Sequence, residues 1–206
     1  MTAEAKPRRV RADAERSAAR ILEAAEEVLA ADPNASLEQI ADAAGLTRVT
    51  VHRRFSSRQV LLEALNERFN ERYLLALKQA RVATAPPLAA LHRATEIVLD
   101  FKLSRRAALV RVSDPRTGGP ILAPEVVEGI ELLFSRLHAA GVITAADPSW
   151  CSQVYVALLC EVERRPVETL GLSTTDDPIE EVGARTDLLT RTVLGALGGN
   201  GDALLR

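Results

Sequence analysis

Gly45 lies between two short helical patterns, and its place constrains the fold more than any other residue in this 206-residue chain. Upstream, SLEQIADAA opens with Ser36 three residues ahead of Gln39. That is the spacing of a capping box, in which the hydroxyl accepts from a first-turn N–H and the amide reaches back to the serine N–H. Leu37, Ile40, Ala41 and Ala44 recur at helical spacing, and a helix that stops there wants a residue at ease in left-handed backbone, which Gly45 supplies. Downstream, Leu46 follows at once and Thr47 is placed to cap a third helix ending near Phe55. Two short helices joined by a few residues with a glycine in the turn have the layout of a helix-turn-helix.

Around this pair the chain reads as helices separated by hard stops. From Ala14, the residues Ile21, Leu22, Ala25, Val28 and Leu29 repeat at helical spacing until Asp32-Pro33. Ser56 and Ser57 open a fourth helix, with Ser56 and Gln59 spaced as a second capping box. Leu61, Leu62, Leu65, Phe69 and Leu75 carry it to about Gln79, and Pro86-Pro87 cannot be interior helix. Leu88 to Val112 reads either as one helix or as two that bend near Ser104, followed by a loop from Asp114 to Pro120. Further helices are expected from Glu125 to Ala140, from Pro148 or Ser149 to Arg165, and from Ile179 to Leu197. No strand-like alternation stands out, so the expected fold is all-α. Residues 1–13 are expected as a flexible basic tail, 14–62 as the helix-turn-helix domain and 63–206 as a larger helical domain.

An apolar share of 47% is enough for a sizeable core, and with aromatics at 3% that core has to be built from Leu, Val, Ala and Ile. No run approaches the roughly 18 apolar residues of a membrane span. The first residues lack the apolar middle of a secretory signal, so a cytoplasmic protein with no membrane partner is expected. On one helix Cys151 and Cys160 would stand roughly 13 Å apart on opposite faces. That is too far for a disulfide, and they are read as small buried hydrophobes.

Between Gly45 and Arg58 fall Arg48, Arg53, Arg54 and Arg58 without one acid, in a chain of net charge −2. A helix over residues 47–55 would bury Val51 and Phe55, four apart, and turn Arg48, Val49, Thr50, His52 and Arg53 outward. Such a face suits a DNA major groove, where arginine bonds guanine bidentately and threonine meets a thymine methyl. Arg48, Thr50 and Arg53 are assigned to base edges with Val49 at the groove floor, and Ser36, Thr47, His52 and Arg58 to phosphates. Arg8, Arg9 and Arg11 either follow the backbone or minor groove or only solubilise the tail.

ASLEQIADAAGLTRVTVHRRFSSRQVLLEAL resembles the helix-turn-helix of the TetR family (TetR/AcrR type) of bacterial transcriptional regulators, over about residues 14–65. Ile40-Ala41, Ala44-Gly45, Thr50-Val51, Phe55 and the stretch from Arg58 to Leu65 carry the likeness. The resemblance implies a homodimer on a double-stranded DNA operator, an all-helical C-terminal domain that binds a small-molecule effector, and repression relieved by that effector. Two positions depart from the family's habit: His52 stands where tyrosine is usual, and Val49 where glycine is frequent.

In the last helix Val182, Thr186, Leu189, Val193 and Leu197 recur at heptad-like spacing, and the preceding helix offers Val154 and Leu158. These stripes either form the dimer interface, as the resemblance implies, or pack within one chain. For the effector pocket the polar candidates are His92, Thr95, Glu96, Arg111, Ser152 and Tyr155, with Leu99, Phe101 and Trp150 as apolar walls. Few aromatics suit an aliphatic or mixed ligand.

Catalysis is not expected. His52, His92 and His138 lack metal-motif spacing, Gly118-Gly119 lacks the phosphate-loop pattern, and no cofactor or metal is called for. The function expected is a sequence-specific DNA-binding repressor released by a small molecule. The alternatives are an activator, a ligand-independent repressor, or, in another class, a helical protein-interaction adaptor.

Overall fold

The computed structural model describes residues 5–105, 108, 109, 112, 113 and 120–199, with side chains from Asp13 onward. Among the described residues there are eight α-helices, one 3-10 turn and no strand. Contacts divide the chain into two compact units, Met1–Arg68 with Arg105–Ser113, and Phe69–Ser104 with Asp114–Arg206. The division falls inside the fourth helix, beyond the boundary expected at 62, and the short piece after Ser104 returns to the first unit.

The first unit holds α1 (Ala5–Ala31), α2 (Leu37–Ala43), α3 (Arg48–Arg54) and the start of α4 (Arg58–Gln79). α1 begins at Ala5, so the stretch expected as a flexible tail is helical from there on. Pro7 falls in the first turn, where backbone N–H groups have no intrahelical acceptor to lose, and the alanines and arginines after it favour helix. Ile21, Ala25, Leu29, Ile40, Val51, Leu61 and Leu65 are wholly buried and form the core. The Ser36 capping box is present: Gln39 N–H donates to Ser36 Oγ (3.3 Å) and Ser36 N–H to Gln39 Oε1 (2.7 Å). Gly45 has φ +61, and Arg20 Nη2 donates to Ala44 O at 2.6 Å, so α1 clamps the turn from outside. At α4 the cap is Ser57, whose Oγ accepts from Val60 N–H at 3.2 Å, and not Ser56 as the spacing to Gln59 suggested. Helix geometry from Arg58 onward puts the third helical N–H at Val60.

One buried acid organises this unit. Glu26, 4% exposed, meets Arg68 Nε at 3.0 Å with one oxygen and Arg105 Nε at 2.8 Å with the other. Arg68 also donates to Ala19 O at 3.2 Å.

The second unit holds the rest of α4, then α5 (Pro87–Ser104), α6 (Pro124–Ala139), α7 (Pro148–Arg164), a 3-10 turn (Glu168–Leu170) and α8 (Pro178–Ala196). α5 to α8 each open with a proline, where a missing N–H costs nothing. Asp147 and Asp177 cap the last two helices: Asp147 Oδ1 accepts from Ser149 N–H (3.0 Å) and Asp177 Oδ1 from Ile179 N–H (2.9 Å). α5 ends at Ser104 and does not run on to Val112; residues 114–119 of the expected loop lie outside the described residues. α4 stops through Arg81, a non-glycine at φ +53, with Val82 N–H donating to Leu77 O at 3.2 Å. Arg136 of α6 donates to Val82 O and, at 2.7 Å, to Ala85 O, which pins the α4–α5 connection. α6 approaches α4 so closely that a Cβ on Gly129 would stand 2.6 Å from Leu77 Cδ1.

Candidate functional site

On α3, Val51 and Phe55 point into the core while Val49 is 76% exposed beside the exposed Arg48, His52 and Arg53. Thr47 caps the helix, its Oγ1 accepting from Thr50 N–H at 3.2 Å, and the two hydroxyls lie 2.9 Å apart. Six of the eight residues nominated for DNA (Thr47, Arg48, Val49, Thr50, His52 and Arg53) thus lie on α3 or at its cap. Ser36 is committed to its capping box at the start of α2.

Arg58 is the exception. It was expected on a phosphate, yet its Nη2 donates to Pro33 O at 2.7 Å and its Nε to Ala35 O at 3.4 Å. The α1–α2 connection leaves those carbonyls without helical partners, and the arginine satisfies them. Sequence reading also missed Glu38. Its Oε1 lies 2.7 Å from Arg48 Nη2 and 3.9 Å from His52 Nε2. A backbone hydrogen bond, the Ser36 hydroxyl, and then the charges of Arg48 and His52 hold the Glu38 carboxyl below its ordinary range. The signal was present in the sequence, since Glu38 opens the helix whose partner carries Arg48.

The second unit contains a narrow apolar cavity of about 40 Å³. α4 contributes Tyr73 and Leu77, α5 Ala94, Val98 and Lys102, α6 Val126, Ile130 and Leu133, and α7 Tyr155, Val156 and Leu159. Of the nine effector candidates, Tyr155 lines it, and Thr95 lies behind with Oγ1 3.0 Å from Tyr155 Oη. Burial pushes the Tyr155 phenol up to about 12, against the pull of Thr95. Leu99 is fully buried, and Phe101 packs edge-on to Phe69 and Tyr73 at 5.4 and 5.6 Å. Ser152 borders a separate groove along α6 and α7. His92 pairs with Asp187 at 3.0 Å and Glu96 with Arg93 at 2.7 Å, both at the surface, and Trp150 is 47% exposed. Arg111 lies outside the described residues.

Among the lining residues that escaped the sequence reading, two carry polar groups, Tyr73 and Lys102. Ala94, Val98 and Lys102 stand four apart on one stripe of α5, so a lysine on an apolar stripe was the available signal. Lys102 is 5% exposed, with Nζ 3.6 Å from Glu163 Oε2. Tyr73 Oη is buried and finds no hydrogen-bond partner among the described residues.

The interface candidates on α8 need correcting. Val182, Thr186, Leu189, Val193 and Leu197 are buried inside the unit, where α8 packs chiefly on α5. A heptad-like stripe marks an apolar helix face but does not say whether the neighbour comes from the same chain. Val154 and Leu158 are half-buried on the outer side of α7, in register with Trp150 and Ala157. The outer side of α8 carries Ile179, Gly183, Ala184 and Leu188. Among the described residues no helix is long and apolar enough to cross a membrane.

Residues 21–65 match the profile of the family described as bacterial regulatory proteins, tetR family. The chain is 35% identical over 146 residues to the HTH-type transcriptional repressor LfrR of Mycolicibacterium smegmatis, spanning 70% of this chain and 76% of the repressor. It is similar to the crystal structure of the TetR-like regulator LfrR from Mycobacterium smegmatis in complex with proflavine, with 31% identity and a TM-score of 0.59, covering 85% of this chain and 95% of that one. A regulatory protein of the tetR family from Rhodococcus RHA1 shares the fold at 20% identity and a TM-score of 0.65, covering 89% and 98%.

Proposed function

The chain belongs to the TetR family of bacterial regulatory proteins, and from that membership we propose how its residues divide the work. It is a DNA-binding transcriptional regulator of the effector-responsive repressor type. The observation that carries the assignment of contacts is the two-sidedness of α3: Val51 and Phe55 anchor it, and Arg48, Val49 and Arg53 face outward. Arg48 and Arg53 read guanines, Thr50 and Val49 meet thymine methyls, and Thr47, Ser36 and His52 hold phosphates.

Two copies read two half-sites about one helical turn apart. The outer sides of α7 and α8 make the joint: Trp150, Val154, Leu158 and Ile179 are at least partly exposed there, and a Cβ at Gly183 or Gly195 would meet nothing within 4 Å. Light scattering should give twice the chain mass, and Leu158→Asp should halve it.

The effector enters the cavity lined by Tyr73 and Leu77. At about 40 Å³ the cavity is far below the roughly 300–1,000 Å³ of drug-sized sites, so an effector has to move its walls. α4 is the wall whose other end carries Leu61 and Leu65 in the core of the DNA-binding unit. Displacing it is how occupancy is felt at α3.

The test is fluorescence anisotropy on the duplex just upstream of the protein's own gene, against a scrambled duplex and across a salt series. Specific binding should prefer the native duplex at every salt concentration and fall linearly in log–log form as salt rises. Equal weak binding to both duplexes would refute a nearby operator.

A further inference from the structure

We propose that the effector is an amphipathic monocarboxylate whose apolar part fills the cavity among α4, α5, α6 and α7 and whose carboxylate is held by Lys102 Nζ and Tyr73 Oη. The proposal rests on that cavity being the effector site.

The lining is almost entirely aliphatic, with Leu77, Val98, Ile130 and Leu133 typical of it, so the bulk of any occupant is apolar. Three described lining residues, Tyr155, Tyr73 and Lys102, carry polar ends. Tyr155 already has its partner in Thr95, so it asks nothing of a ligand. Tyr73, 6% exposed, has a buried hydroxyl that no described group engages, and buried side-chain hydroxyls without a partner are uncommon in folded proteins. Burial, with Cys160 and Glu163 adding to it, pushes the Tyr73 phenol well above its ordinary value, so it remains a neutral O–H that can donate.

Lys102 is the third, and the one charged side chain among the described lining residues. Its Nζ lies 3.6 Å from Glu163 Oε2, beyond the 2.7–3.2 Å of an N–H···O hydrogen bond. An ammonium has three N–H donors, and a single contact of that length leaves it able to turn toward a second oxygen. Lys102 is among the residues that line the cavity and Glu163 is not. Cys160, the remaining group close by, is kept a neutral thiol by burial.

Two donors, one of them cationic, at an otherwise aliphatic cavity match one carboxylate on an apolar body. An organic cation would meet Lys102 head-on. A neutral alcohol could satisfy Tyr73 but would not engage the lysine charge. The proflavine complex of the M. smegmatis relative concerns a different ligand class, and proflavine is therefore the comparison probe.

The experiment is calorimetric titration of the purified full-length protein with octanoate, 1-octanol, octyltrimethylammonium and proflavine. Octanoate should bind at least tenfold more tightly than the alcohol and either cation. Tyr73→Phe and Lys102→Gln should each weaken octanoate about tenfold, and Lys102→Gln should leave octanol unchanged. The double variant Lys102→Gln/Glu163→Gln, which strands no buried charge, should repeat the loss. Octanol or a cation binding as tightly as octanoate overturns the proposal, as does octanoate binding that ignores all three variants or fails altogether. Val98→Trp, checked for folding by circular dichroism, separates the two readings. If it blocks every probe while selectivity for the carboxylate is absent, the cavity stands and the carboxylate falls. If probes bind it undiminished, the cavity itself is wrong.

Discussion

Arg48 and Arg58 lie ten positions apart in a run without acids, and they do different jobs. Arg48 is exposed and shares its guanidinium with Glu38 at 2.7 Å, whereas Arg58 is turned inward onto the carbonyls of Pro33 and Ala35. Arg48→Ala should cost about 1–3 kcal/mol of operator binding and loosen discrimination at one base pair, with folding unchanged. Arg58→Ala should instead lower the urea midpoint, by about 1–3 kcal/mol for charged hydrogen bonds to two carbonyls. The salt slope of its residual DNA binding should stay unchanged, and a flatter slope would return Arg58 to a phosphate. Tyr155 sets a second expectation at this scale. Its folded pKa of about 12 stands above the ordinary tyrosine value, so its contribution is complete below about pH 10 and fades as pH rises through 12. Urea midpoints should fall between pH 10 and 12, less steeply in Tyr155→Phe, with Tyr73 supplying the remainder in the same direction.

Helices are punctuated by local chemistry, and that is why so many of them were legible. Ser36 with Gln39, Thr47 with Thr50, Gly45, and the prolines that open α5 to α8 act within a few residues of themselves, so their spacing in sequence is their geometry. What escaped were facts of position in space. The stripe from Val182 to Leu197 showed that α8 has an apolar side, but only packing reveals that α5 of the same chain covers it. Lys102 sat on an equally readable stripe and drew no notice, because a lone lysine usually reaches out to water. The basic residues early in α1 look like a tail by polarity, yet alanine and arginine both favour helix. One local strain remains at the end of α4, where Arg81 adopts φ +53 with a side chain that gains nothing from it. Arg81→Gly should raise stability by up to about 1 kcal/mol, read as a higher urea midpoint. No change would mean that the extra entropy glycine gives the unfolded chain offsets the relief.

Over the whole molecule, the least legible feature is the return of residues 105–113 to the first unit after α5 has been spent in the second. Nothing local announces it. One contact that accompanies it is Glu26, a buried acid on α1, which collects Arg68 and Arg105 from 42 and 79 positions away. Glu26→Ala leaves two arginines without their carboxylate and should cost about 2–3 kcal/mol, below the full penalty for a stranded buried charge because both partners retain some water. Thermal unfolding should shift in its first unit, with octanoate binding to the second unchanged if the units melt separately.

The smallness of the cavity also has a meaning for the cell. On the proposal that the effector enters there, a ligand that parts Leu77 from its close seat against Gly129 spends some of its binding free energy on opening, and its apparent affinity is its intrinsic affinity scaled by the population already open. The concentration at which genes switch on is therefore written partly in core packing, away from any atom that recognises the ligand's head. Trimming one methyl group along that seam would lower the dose for induction, and adding one would raise it, while the choice of ligand stayed the same.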